Sequence, residues 1–114
     1  MSAPKFNMLQ EVVKPNIITA MTYIDKLDSN MISSKKHTEL AKVYFDKAVN
    51  NMSIAKIVYY TKVPSTCFDD NIHTLFIKFE LFADAFLTAY IGDDDYSYVI
   101  EELIALRAIY DEIK

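Results

Sequence analysis

Glycine and proline are almost absent from this chain of 114 residues, which holds one glycine, Gly92, and three prolines, Pro4, Pro15 and Pro64. Tight β-hairpin turns draw heavily on glycine, so the sequence disfavours a β fold. Long segments without a helix breaker remain, each long enough for a helix. The chain length suits one domain. We therefore predict a single all-α domain over residues 1–114.

The first predicted helix carries one apolar stripe at steps of three and four, the spacing of a single helix face. Pro15 falls inside this stripe and removes a backbone donor. The stripe keeps its phase across Pro15, which favours one helix kinked there. The alternative is an arm to Lys14 followed by a helix with Pro15 at its first position. The stripe consists of Phe6, Leu9, Val13, Ile17, Met21, Ile24 and Leu27.

Three further helices follow. The second, capped by Ser33 or Ser34, runs to about Lys62 and places Ala41, Ala48 and Ala55 at heptad spacing. The third is predicted to be capped by Thr66, to be nearly buried and to end at Gly92. The fourth starts at the acidic run Asp93, Asp94 and Asp95, with Tyr98 or Val99, Leu103, Leu106 and Tyr110 facing inward.

Four helices with short loops predict an antiparallel, up-down bundle. That topology would bring the 29–37 loop, with Lys35, Lys36 and His37, beside the 92–98 loop.

Composition narrows the function. The net charge is −4 and Arg107 is the sole arginine, which disfavours nucleic-acid binding because arginine is the preferred ligand of phosphates and guanine edges. Cys67 is alone, so no internal disulfide is available, and we expect it to lie in the bundle end as a small apolar residue. The apolar segment 72–91 contains four charged or imidazole side chains, which cost roughly 2.5–3.5 kcal/mol each at a bilayer centre. We therefore expect no membrane span, no secretory leader and a cytoplasmic location.

A polar stripe on the third predicted helix is the main candidate for chemistry. Asp70, His73, Glu80 and Asp84 are spaced by three, seven and four residues, so they share a helix face. Carboxylates and histidines on helices hold metal in di-iron bundles, although that site uses Glu-x-x-His twice. This chain has no such motif, and Cys67 with His73 lacks a third orienting group. We expect no cofactor and no enzymatic activity, with a metal site or catalysis at this stripe as the alternative.

A second alternative rests on a resemblance. Residues 41–56 resemble the first conserved helix of HEPN domains, and residues 67–90 resemble the second. The resemblance implies a helical bundle of a kind that often acts as a dimeric ribonuclease through an arginine followed by a histidine. No histidine follows Arg107, so it implies at most an inactive, nucleic-acid-binding relative.

Surplus aromatic residues point to a protein partner. Tyr59 and Tyr60 are adjacent on a helix and cannot both face one narrow core seam. Tyrosine is enriched at interfaces because it adds contact area at little entropic cost. We therefore predict a small interaction protein whose partner is another protein, with a homodimer as one form. The predicted contact residues are Tyr59, Tyr60, Val63, Phe68, Tyr96 and Tyr98.

The residue usage also suggests a source. Isoleucine, lysine, asparagine and tyrosine are abundant, while glycine and arginine are rare, as in AT-rich genomes. A phage or other viral accessory protein that inhibits a host factor in the host cytoplasm fits this composition.

Overall fold

The structure, a computed structural model, describes residues 7–29, 38–92 and 96–113, which form helices and contain no strand. This confirms the all-α prediction. The helices are α1 (Lys14–Leu27), α2 (Thr38–Lys62), α3 (Asp70–Gly92) and α4 (Ser97–Ile113). A π-helical turn, Leu9–Val13, precedes α1, and a 3-10 turn, Ser65–Cys67, follows α2.

Internal contacts divide the chain into two units, Met1–Phe68 and Asp69–Lys114. The first unit contains α1 and α2, and the second contains α3 and α4. The single domain, the up-down order of all four helices and the kink at Pro15 stay predictions.

Pro15 lies in the first turn of α1, directly after the π-helical turn. The Lys14 N–H donates to the Leu9 carbonyl five residues earlier, which is the π-helical pattern. Proline is tolerated in a first helical turn because its missing N–H has no helical partner there. Residues 9–13 are therefore helical, unlike the predicted arm, although the α-helix itself begins beside Pro15. The predicted stripe is buried from Val13 to Leu27, and Phe6 lies outside the described residues.

The helices α1 and α2 form an antiparallel hairpin. The Asn51 side-chain amide donates to Asn16 Oδ1 at 2.9 Å. Seven residues further along α1, the ring of Tyr23 stacks on that of Tyr44, seven residues earlier in α2, with the centroids 6.3 Å apart. Residue numbers at the two contacts increase along α1 and decrease along α2, so the two helices run in opposite directions.

Alternating small and large side chains build the buried face of α2. Ala41, Ala48 and Ala55 are fully buried, as their heptad spacing predicts for close helix packing. The large buried residues lie four positions after each alanine, at Phe45, Met52 and Tyr59. The positions three residues after the alanines, including Asn51, are half-buried at the edge of this seam.

Replacing Asn51 by alanine is expected to lower the free energy of unfolding by about 1–2 kcal/mol. Asn16 accepts from Asn51 and donates its own amide to the Val12 carbonyl at 2.8 Å, in the π-helical turn. Loss of one partner leaves a half-buried polar group unsatisfied, which costs about 1–3 kcal/mol when burial is complete. Urea denaturation of Asn51→Ala, Asn16→Ala and the double variant gives a double-mutant cycle, which measures the coupling energy between the two side chains. Strictly additive single effects would contradict the coupling.

Asp69 caps α3, so the prediction of Thr66 as the cap was wrong. The Asp69 carboxylate accepts the Asn71 N–H at 2.8 Å, and its carbonyl accepts from Ile72 and His73. Thr66 lies in the 3-10 turn, and Phe68 is extended with ψ of 142°. The extended backbone separates Thr66 from the helix, whereas an aspartate immediately before it is an effective cap.

One face of α3 is buried. The buried residues recur at heptad-like steps along the helix. Ile77 and Leu81 are 46% and 44% exposed, so the prediction of a helix buried nearly all round was wrong. The described part of α3 reaches Gly92, and residues 93–95, which follow it, lie outside the described residues. The buried set is Ile72, Leu75, Phe76, Phe79, Phe82, Phe86 and Ala89.

Of Tyr98 and Val99, the two adjacent residues predicted as alternatives at the start of α4, the structure buries Val99. Val99, Leu103 and Leu106 are buried, whereas Tyr98 is 73% exposed and Tyr110 is half-buried. Tyr98 therefore does not face inward.

Several predictions fall outside the described residues. They concern the caps Ser33 and Ser34, the basic residues Lys35 to His37, and the acidic start Asp93 to Asp95. Within the described residues, none of the helices combines the length and the apolar character needed to cross a membrane.

Candidate functional site

A groove with a volume of about 560 Å³ lies on the second unit between α3 and α4. Alanine, serine and threonine side chains form much of its lining, so the two helices leave space that larger side chains would fill. Leu81 and Tyr98 add large apolar surface and stay well exposed. The lining residues are Leu81, Asp84, Ala85, Thr88 and Ala89 from α3, and Ser97, Tyr98 and Glu102 from α4.

The groove is acidic. Asp84 on α3 and Glu102 on α4 both line it. Among the described residues of the second unit, the lysine and arginine side chains are Lys78 and Arg107, and neither belongs to the lining. A ligand in the groove therefore meets carboxylates from both helices.

Charge is distributed very unevenly between the two units. Residues 1–68 contain nine lysines and five acidic residues, a net charge of +4. Residues 69–114 contain eleven acidic residues against two lysines and Arg107, a net charge of −8. The modest total of −4 conceals this difference, which indicates different surface chemistry in the two halves.

Two of the predicted contact residues lie at the start of α4. Tyr98 lines the groove with most of its side chain exposed. Tyr96 is half-buried, and its carbonyl accepts the Ile100 N–H at 3.0 Å, so it takes part in starting the helix. Of these two tyrosines, Tyr98 is the more accessible to a partner.

Three of the other four predicted contact residues, Tyr59, Tyr60 and Phe68, form an aromatic cluster in the first unit. The Tyr59 ring stacks on Phe68 with the centroids 4.6 Å apart and meets Tyr60 edge-on at 5.0 Å. Tyr59 and Val63 are buried, whereas Tyr60 and Phe68 each keep more than two fifths of their surface exposed. The structure thus brings the three rings together, and Tyr60 and Phe68 provide the accessible surface.

A second aromatic contact, between Tyr23 and Tyr44, has lysine side chains beside its rings. The sequence patterns did not single it out. Lys26 Nζ lies 5.9 Å from the Tyr23 ring centroid and 5.8 Å from that of Tyr44, and Lys47 Nζ lies 5.7 Å from Tyr23. These distances suit cation–π attraction, which holds both ammonium groups against the α1–α2 hairpin.

The polar stripe of α3 lies on its exposed face. Asp70, His73, Glu80 and Asp84 are all exposed. Within the described ranges, no three histidine, cysteine, aspartate or glutamate side chains converge as a metal site would require.

Cys67 is exposed in the 3-10 turn, so the prediction that it lies buried in the bundle end was wrong. The turn places Cys67 outside both flanking helices. His37 lies outside the described residues.

Comparison with models of protein families, with curated proteins and with solved structures finds no match to this chain. The resemblance of residues 41–56 and 67–90 to HEPN domains, and the nucleic-acid binding that it implies, stay predictions.

Proposed function

We propose that the chain is a non-enzymatic protein–protein interaction module and that the groove between α3 and α4 is its principal contact surface. The observation that carries this proposal is the pairing of two exposed large side chains, Leu81 and Tyr98, with a lining of small residues. Binding energy concentrates where an aromatic anchor adjoins space that a partner can fill and dehydrate. Tyrosine suits this role, since it adds large contact area with few rotatable bonds.

The aromatic cluster of the first unit supports a second, smaller contact. The Tyr60 and Phe68 rings pack on the buried Tyr59, which limits their freedom before any partner binds. Rings that are already ordered lose less entropy on association. A second copy of the chain is one candidate partner. The amino-acid composition supports, as the proposed biological setting, a viral accessory protein in the cytoplasm of its host.

Cross-linking from position 98 tests the groove. A photoreactive phenylalanine analogue at Tyr98 is expected to capture a discrete partner in cells of the source, or a second copy of the chain. The matched control places the same analogue at Ile104, which is also on α4 and 64% exposed but does not line the groove. Equal capture from the two positions would contradict the proposal. Light scattering of the purified chain then tells a homodimer from a complex with another protein.

Replacing Tyr98 or Leu81 by alanine measures how much each side chain contributes to binding. Tyr98→Ala is expected to weaken binding of the captured partner at least tenfold, equivalent to about 1.4 kcal/mol or more. Leu81→Ala is expected to weaken it several-fold. The controls Ile104→Ala and Ile100→Ala remove exposed apolar surface from α4 at positions outside the lining. Titration calorimetry measures all four variants, and losses as large in the controls would count against the groove.

A further inference from the structure

We propose that the groove binds one amphipathic helix of the partner, and that this helix carries lysine or arginine beside its apolar face. This inference rests on the proposed function and adds the chemistry of the partner. An apolar groove between helices commonly accepts a helix that inserts its own apolar side chains.

The negative charge of the groove favours a partner segment with positive charge. Asp84 and Glu102 approach the bound segment from two different helices, and neither described cation of the second unit lines the groove. The unit as a whole has a net charge of −8. An acidic or phosphate-bearing partner would be repelled, whereas a basic one gains attraction in both encounter and binding.

The shape of the exposed α3 face indicates an elongated partner. Ile77, Leu81, Asp84, Thr88 and Ile91 follow one another at steps of four and three, so they lie along one side of the helix, and all are exposed. At a rise of 1.5 Å per residue this row spans about 21 Å. The row continues past the groove at both ends with an exposed isoleucine. A helix of about four turns matches that length.

Exposure of the rim argues against a small cationic ligand. Sites for small molecules bury most of the ligand surface. Here Tyr98 is among the most exposed large side chains of the described residues, and Leu81 remains nearly half exposed. Such a rim is covered by a ligand that extends beyond the groove.

Two synthetic peptides test the proposal against the full-length chain. The first is a fluorescein-labelled 18-residue helix with leucines on one face and lysines beside them. The second replaces every lysine by glutamate. Fluorescence anisotropy at physiological ionic strength is expected to show binding of the lysine peptide at least tenfold tighter than that of the glutamate peptide.

Charge-neutral variants locate the contact. The double variant Asp84→Asn with Glu102→Gln is expected to weaken binding of the lysine peptide about tenfold. The control pair Asp70→Asn with Glu112→Gln removes the same charge from the same helices at exposed positions outside both the lining and the 77–91 row, and is expected to weaken binding less than threefold. Circular dichroism verifies that both double variants keep the helical content of the parent.

The outcomes separate this inference from the proposed function. Equal losses in the two double variants would mean attraction to bulk charge only, and would overturn the assignment to the groove. Equal binding of the two peptides, or no binding of either, would also overturn it. If Tyr98 still captures a partner selectively in cells, the proposed interaction function stands without the basic helix. If that capture fails as well, both proposals fall.

Discussion

Replacing Phe82 by alanine is expected to lower the free energy of unfolding by about 3–5 kcal/mol. Phe82 has no exposed surface, and its ring lies 6.2 Å from that of Phe79 on the buried face of α3. Removal of a buried phenylalanine ring costs both the transfer free energy of the lost atoms and the cavity left behind. Small domains are stable by only about 5–15 kcal/mol, so this loss is a large share of the total. Urea denaturation followed by circular dichroism measures it.

Ile77→Ala is the matched control for Phe82→Ala, because Ile77 belongs to the same helix and lies on its exposed side. We expect that variant to change the free energy of unfolding by about 0.5 kcal/mol or less, as is usual for surface sites. Similar losses in the two variants would mean that the buried face of α3 is assigned incorrectly.

Tyr59→Ala is expected to have a comparable effect, about 3–5 kcal/mol. Tyr59 is 1% exposed, and its ring contacts both Phe68 and Tyr60. Truncation removes a large buried side chain and leaves two exposed rings without the surface on which they pack. The same denaturation experiment applies, and loss of near-ultraviolet dichroism would report disorder of the remaining rings.

Tyr59→Phe keeps the ring and serves as the control for that experiment. If packing of the ring is the main contribution, this variant should retain most of the stability that alanine loses. A loss in Tyr59→Phe as large as that in Tyr59→Ala would instead assign the stabilisation to the hydroxyl group. Tyr60→Ala should be milder than Tyr59→Ala, because Tyr60 keeps 42% of its surface exposed.

Periodicity in the sequence predicted the interior of the first hairpin well. The stripe from Val13 to Leu27 and the alanines of α2 are buried as their spacing indicates. The hydrogen bond between Asn16 and Asn51 was not predictable, since it depends on the register between two helices. Asparagine is a weak helix former, so the residue type at position 51 gives no sign of this contact.

The helix boundaries show where local patterns mislead. Thr66 and Asp69 are both capping residue types within a few positions of each other, and only the extended backbone at Phe68 selects Asp69. Tyr98 and Val99 are adjacent, and rotation of α4 by one residue, about 100°, exchanges which of them is buried. The structure buries Val99 and leaves Tyr98 exposed.

The candidate groove was only partly predictable. Tyr98 was selected for its aromatic ring, and Asp84 for an unrelated metal hypothesis. The small lining residues, such as Ala85 and Thr88, gave no signal of their own, because alanine and threonine on a helix are unremarkable. The charge difference between the halves was available by counting once the division near residue 68 was known.

The near-absence of glycine and proline determined that this chain is helical, because turn formation is a local property of the residues involved. The helical class and the inward stripes of α1 and α2 could therefore be predicted from short-range spacing. Which apolar face of α3 is covered could not, because burial depends on the neighbours of a helix and their register. Only the tertiary structure placed Ile77 and Leu81 in solvent and brought Tyr98 and Glu102 to the same groove as Asp84.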